Sequence, residues 1–241
     1  MVISDSGVIP GFDFIRQYPH TTRTFESKEY PRVRLTVVMA NHLPLEQQTG
    51  ADLIYYNQTF RSFVMVQYKA MEKGTNGPEF RWRPQDKLAE EIGRMEELLD
   101  TLKALPLDPA AQSFRLHANP FFLKLCPRLD FNPDAKGLSK GMYLPLDYWK
   151  CLAKDVATQG PQGGRFITYD NVGRKISNSE FVVLVANAWV GTTVPQSVIL
   201  ETVIRSVIQT GKTVTFAIKS EHQYDASDVA FESKSLDEFE L

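Results

Sequence analysis

Two cysteines, Cys126 and Cys151, are all that this chain of 241 residues carries, too few for a disulfide framework or a zinc-binding set. The four histidines, His20, His42, His117 and His222, have neither metal-ligand spacing nor a nucleophile partner, and read as surface or packing residues. Long apolar runs are missing too. The best of them, residues 181–190, is interrupted by Asn187 and falls well short of a bilayer, so no membrane helix is expected. The amino end has Asp5, Asp13 and early Gly and Pro in place of a basic and then apolar block, so no secretory signal is expected and a reducing cytoplasm is the simplest setting. Internal repeats are absent.

A large charge imbalance is also lacking, the formal net charge being −2. That balance is uneven along the chain. Residues 220–241 hold seven acids against Lys234, a net of −6, which leaves the preceding 219 residues at +4. A mildly basic body removes an objection to nucleic-acid binding without demonstrating it. With 43% hydrophobic and 23% charged residues, 14 Gly and 14 Pro, the composition is that of an ordinary globular chain, long enough for one good core, or one core plus a small appendage.

Periodicity sets out the elements. Residues 1–31 show no clear period and read as a partly ordered lead-in. Val33 to Ala40 is β-branched and apolar and predicts a strand, with a helix as the alternative; Asn41 to Thr49, with Pro44, predicts a turn; strands follow at 52–57 and 62–70. Glu72 to Pro84 reads as a loop. Gln85 to Leu105 is the clearest helix, with Leu88, Ile92, Met95, Leu99 and Leu102 on one face and Glu90, Glu91, Arg94, Glu97 and Asp100 on the other. Phe121 to Pro127 predicts a further strand. Beyond residue 130, helices are expected at 145–154, 177–190 and 195–209, a turn at 160–165 and a closing strand at 212–218. The turn at Gly160–Gly164 lacks the strand-loop-Lys-Ser/Thr context of a nucleotide site. The acidic tail after Ser220 is expected to be disordered.

The chemistry-bearing feature is Gly50-Ala51-Asp52-Leu53-Ile54-Tyr55-Tyr56 followed, after a polar turn, by Ser62-Phe63-Val64-Met65-Val66-Gln67-Tyr68-Lys69. Side chains two apart on a strand share a face, so Gln67 and Lys69 point the same way and Asp52 can meet them at the mouth of the hairpin. A carboxylate, an amide oxygen and an ammonium around one small volume suit a divalent metal and a phosphodiester. The alternative is that Asp52 caps the turn and Gln67 and Lys69 lie on a solvated face, although Met65 on that face argues that it is at least half covered.

Gly-x-Asp entering a strand, then an apolar strand ending in Gln-x-Lys, resembles the PD-(D/E)XK nuclease superfamily, most closely its Mrr-like restriction endonuclease branch, where Gln often replaces the middle acid. The motif is Asp52, Gln67 and Lys69, and the order of elements extends the resemblance over residues 32–128. It implies an α/β fold with a mixed β-sheet flanked by helices: a restriction-endonuclease-like core over residues 1–130, an α-rich C-terminal extension over 131–219 and the acidic tail. It implies that Asp52, Gln67 and the main-chain carbonyl of Tyr68 hold Mg²⁺ or Mn²⁺ and that Lys69 polarises the attacking water or stabilises the phosphate. The front of the chain departs from the pattern, because no leading helix is evident and its glutamate is unassigned; Glu46 is the first candidate, then Glu29 and Glu26. Lys73, Arg81 and Arg83, interleaved with Phe80 and Trp82, are candidates for gripping a phosphate backbone and stacking on a base. The expected function is metal-dependent hydrolysis of DNA, in restriction or defence, with a partner protein or a homodimer as a further association. The alternative is a non-catalytic nuclease-like module binding nucleic acid or a partner protein.

Overall fold

The computed structural model describes residues 1–18, 22–29, 33–41, 43–75, 77–83, 86–106, 108–128, 137–160 and 163–210. His20, His42, His222, the expected strand at 212–218 and the acidic tail lie outside them.

In chain order the elements are α1 (Val2–Asp5), β1 (Phe12–Tyr18), β2 (Thr22–Ser27), β3 (Arg34–Met39), α2 (Pro44–Thr49), β4 (Leu53–Asn57), β5 (Ser62–Gly74), β6 (Gly77–Trp82), α3 (Lys87–Lys103), β7 (Phe121–Pro127), β8 (Met142–Pro145), α4 (Leu146–Leu152), β9 (Arg165–Thr168), α5 (Asn178–Ala186) and α6 (Val194–Thr210). The nine strands of the described residues form one mixed sheet flanked by helices, an α/β architecture as expected. β1 to β5 pair antiparallel in sequence order, and β5 runs parallel to β7 after the α3 crossover. β7 continues antiparallel to β8, while the far end of β5 turns into β6, which pairs with β9.

Alternation explains why β5 sits centrally. Phe63, Met65 and Met71 enter the apolar cluster under α2, α3, α4 and α6, here the front face; Val64, Val66 and Tyr68 enter the cluster under α1 and α5, the back face. Both faces are therefore covered, so Gln67 and Lys69 do not lie on a solvated sheet surface. The helix at 87–103 packs the predicted Leu88, Met95, Leu99 and Leu102 into the front cluster. Leu200, Val203, Ile204 and Val207 of α6 join the same cluster, so the C-terminal helices and the first half of the chain share one core.

Several expectations are corrected. The lead-in is ordered into α1, β1 and β2, its alternation blurred by a bulge between Phe14 and Arg16. The turn at 41–49 contains α2, for which Pro44 supplies a suitable first residue and Gly50 a left-handed cap at φ 70°. Gly50 is doubly constrained, since a Cβ there would stand 2.5 Å from the Glu91 carbonyl oxygen, so its absence lets α3 close on the α2–β4 turn. The expected loop at 72–84 is instead the end of β5 and a hairpin into β6, turned at Gly77 with φ 119°. Glu26 lies in β2, not in a leading helix.

Candidate functional site

Asp52 sits one residue ahead of β4, where the β4–β5 ladder ends at Leu53 and Val66. Its N–H donates to the Val66 carbonyl at 2.9 Å. One rung further, where β4 no longer offers a carbonyl, the Asp52 carboxylate replaces it: Oδ2 accepts the Tyr68 N–H at 2.7 Å. The side chain expected at the mouth of the hairpin is thus fixed against the residue between Gln67 and Lys69.

Glu46 on α2 and Glu91 on α3 bring two further acids to this end of the sheet. Lys69 Nζ forms an ion pair with Glu91 Oε2. Lys87 Nζ reaches Glu46 Oε1 at 4.0 Å and Glu91 Oε1 at 3.9 Å. Asp52, Glu46 and Glu91 are all buried, Glu91 to 1% exposure, whereas the Lys87 side chain is 69% exposed and compensates weakly. Lys69, mostly buried, and Lys87, mostly in water, are thus ammonium groups that meet these carboxylates among the described residues. Burial is the main cause that pushes Asp52 up to about 6; Glu46 and Glu91 add to the rise, while the Tyr68 N–H and Lys69 oppose it. Gln67 is 3% exposed, and its Oε1 accepts no hydrogen bond among the described residues. A buried amide oxygen without a donor costs free energy unless something else fills the role.

Glu46, the first candidate upstream acid, does lie within electrostatic reach of Asp52. Glu26 pairs instead with Arg34 at 3.3 Å. Sequence reasoning missed Glu91, having set it on the solvent side of the helix. The signal was available: Glu91 is three residues after Leu88 and four before Met95, which puts it on the buried stripe.

The expected nucleic-acid contacts are less coherent. Lys73 and Arg83 are exposed. Arg81 is exposed but forked onto Glu79, Nε–Oε1 2.6 Å and Nη2–Oε2 3.0 Å, and lies over Phe166. Trp82 is 8% exposed, with its ring centroid 4.6 Å from that of Trp149. It belongs to the core, so it has no free face to offer a base; strand alternation in β6 sends Phe80 and Trp82 inward together.

Among the described residues, no group of three His, Cys, Asp or Glu is arranged to hold a metal ion by itself, and no helix is long and apolar enough to cross a membrane. The donors present are all oxygen, carry excess negative charge and include the orphaned Gln67 Oε1, a set that fits a hard divalent cation using one or two carboxylates and several waters. No family model, no curated protein and no solved structure matches the chain.

Proposed function

We propose that the chain is a metal-dependent nuclease hydrolysing DNA phosphodiester bonds, a PD-(D/E)XK-type enzyme of restriction or defence acting in the cytoplasm. The observation that carries this is the buried front cluster, in which Asp52 is pushed up to about 6 near Glu46 and Glu91 and the buried Gln67 oxygen has no donor among the described residues. Such a cluster is relieved by a cation. The succession β3, α2, β4, β5, β6, α3, β7, with β7 parallel to β5, contains the order of elements that accompanies the Asp and Gln-x-Lys motif, with α2 and β6 inserted.

In this assignment Asp52, Gln67 Oε1 and the Tyr68 carbonyl are the groups that would hold Mg²⁺ or Mn²⁺, with Glu46 or Glu91 as the second acid. When bound, the ion supplies Lewis-acid stabilisation of phosphate charge and a more acidic water. Lys69 provides a positive charge for the phosphate or orients the attacking water, and Glu91 fixes where that ammonium stands. The Tyr68 N–H orients the Asp52 carboxylate. DNA would be held electrostatically by the mildly basic body, Lys73 and Arg83 included.

A non-catalytic module is the second reading, favoured by one observation: Lys69 is already committed to Glu91. Incubating purified protein with supercoiled plasmid separates the two. Nicking with Mg²⁺ or Mn²⁺ that stops with EDTA and is lost in Asp52→Ala is expected; DNA binding with no nicking under any divalent ion would favour the module.

A further inference from the structure

The back of the same strand carries a second charged cluster that the proposed chemistry does not use. Lys124 in β7 is 0% exposed, and its Nζ lies 2.5 Å from Oδ2 of Asp5, likewise 0% exposed, at the end of α1. The same Oδ2 accepts the Tyr68 hydroxyl at 2.9 Å, and Oδ1 accepts the Ser139 N–H at 2.5 Å. Lys124 stands opposite Tyr68 in the β5–β7 register, and its ammonium lies over the Tyr68 and Tyr143 rings at 5.3 Å and 4.7 Å.

Tyr68 therefore takes part in both clusters. Its hydroxyl is tied to Asp5 behind the sheet, and its N–H is tied to Asp52 in front. Past Val66 the β4 ladder has ended, so on that edge the strand at Tyr68 is located by the Asp52 side chain, and on its back by the Asp5–Lys124 pair. A buried ion pair is often replaceable by apolar residues without loss of stability, so packing alone does not account for a fully buried lysine joined to an amino-terminal segment.

Building on the nuclease reading for the identity of the front site, we infer that Asp5 and Lys124 are positioning residues for it. They hold Tyr68 so that its N–H aims the Asp52 carboxylate. The amino-terminal segment is then part of the cation site without touching it. Outer partners of this kind set metal affinity by tens-fold.

The test uses the full chain with Asp5→Leu and Lys124→Met combined, which removes both charges and leaves none unpaired, and with Tyr68→Phe, which removes only the hydroxyl tie. Two quantities are read: Mn²⁺ affinity by calorimetry, and the titration of the Asp52 carboxyl by NMR in metal-free protein. The expected result is a 10- to 100-fold weaker Mn²⁺ affinity in the double variant and a smaller loss, about threefold to tenfold, in Tyr68→Phe. Asp52 should titrate higher in both, because the Tyr68 N–H that lowers it is displaced. Unchanged Mn²⁺ affinity and unchanged Asp52 titration in a folded variant would overturn the inference. If the double variant does not fold, Tyr68→Phe decides by the same two readings. If the wild type binds no Mn²⁺, the nuclease reading falls, and exchange of the Tyr68 amide hydrogen decides whether the back cluster positions the front: faster exchange in the variants supports it and unchanged exchange overturns it.

Discussion

The two faces of β5 treat buried charge in opposite ways. Behind the sheet one carboxylate meets one ammonium, and Asp5 also takes hydrogen bonds from Tyr68 and Ser139. In front, the carboxylates of Glu46, Asp52 and Glu91 face Lys69 and a largely exposed Lys87, and a buried amide oxygen has no donor. Among the described residues the Asp5–Lys124 pair has its partners within the chain, although the Tyr55 and Tyr143 hydroxyls of the same cluster have none, and in front the buried Gln67 oxygen has none. The difference sets a one-to-one ion pair apart from the site at which a cation is proposed to bind. Buried charge by itself is no mark of an active site, whereas uncompensated buried charge is a better one.

Removing one partner of the completed pair should have the largest effect. Asp5→Ala leaves the Lys124 ammonium buried and alone, a loss of about 3–5 kcal/mol. For a chain of this size that lowers the thermal midpoint by roughly 10 °C. Calorimetry of the metal-free protein checks it, and a midpoint within about 2 °C of wild type would mean that water reaches Lys124.

The incomplete side should respond in the other direction. Asp52 titrates at about 6 against a usual 3.8, so the folded state prefers the protonated form. With the folded value raised, stability is greatest below about 4, falls as pH rises through the interval to about 6, and is level above it. Asp52→Asn keeps an acceptor for the Tyr68 N–H and removes the penalty, so at pH 8 the metal-free protein should gain up to about 3 kcal/mol while losing Mn²⁺ binding and cleavage. A destabilised Asn variant would show that Asp52 is mainly a structural replacement for the missing β4 carbonyl.

The same titration gives a pH dependence for ion binding. Below about 6 a proton competes with the ion for Asp52, so Mn²⁺ affinity should drop about tenfold per pH unit there and level off above. Calorimetric titrations from pH 5 to 8 test this. A flat profile would place the ion on another carboxylate, Glu91 being the next choice.

How much of this was legible in the chain follows from what each signal depends on. The strand at 53–57, the first part of β5 to residue 70 and the helix at 87–103 show in local periodicity, because both sheet faces and one helix face are buried against neighbours of ordinary kind. That Gln67 and Lys69 share a face, with Asp52 at the mouth of the hairpin, was legible because strand alternation fixes faces. Glu91 was readable from its spacing but was discounted for its charge, although a buried acid on a core stripe is what an ion pair with Lys69 permits. Lys124 stands within Phe121-Phe122-Leu123-Lys124-Leu125-Cys126, an apolar run that asks for a partner, yet that partner lies 119 positions away and local pattern carries no trace of it. The hairpin at β5–β6 was hidden by its Gly and Pro residues, which mark turns wherever they occur.

The smallest expected effect, Gln67→Glu, bears most directly on what the front pocket lacks. If the unpartnered Oε1 is waiting for a cation, a carboxylate in its place keeps an oxygen at the same reach and adds charge that the ion neutralises, so Mn²⁺ affinity at pH 8 should stay within about threefold of wild type or rise. Without metal the variant adds a further acid beside Asp52, and like charge should push the Asp52 titration higher still and lower metal-free stability. The two readings move apart only if the oxygen faces the ion. Loss of Mn²⁺ affinity with the fold intact would show that Gln67 contributes its amide N–H and not its oxygen, and the pocket would then be completed by a ligand that accepts hydrogen bonds, which favours the non-catalytic module over the nuclease.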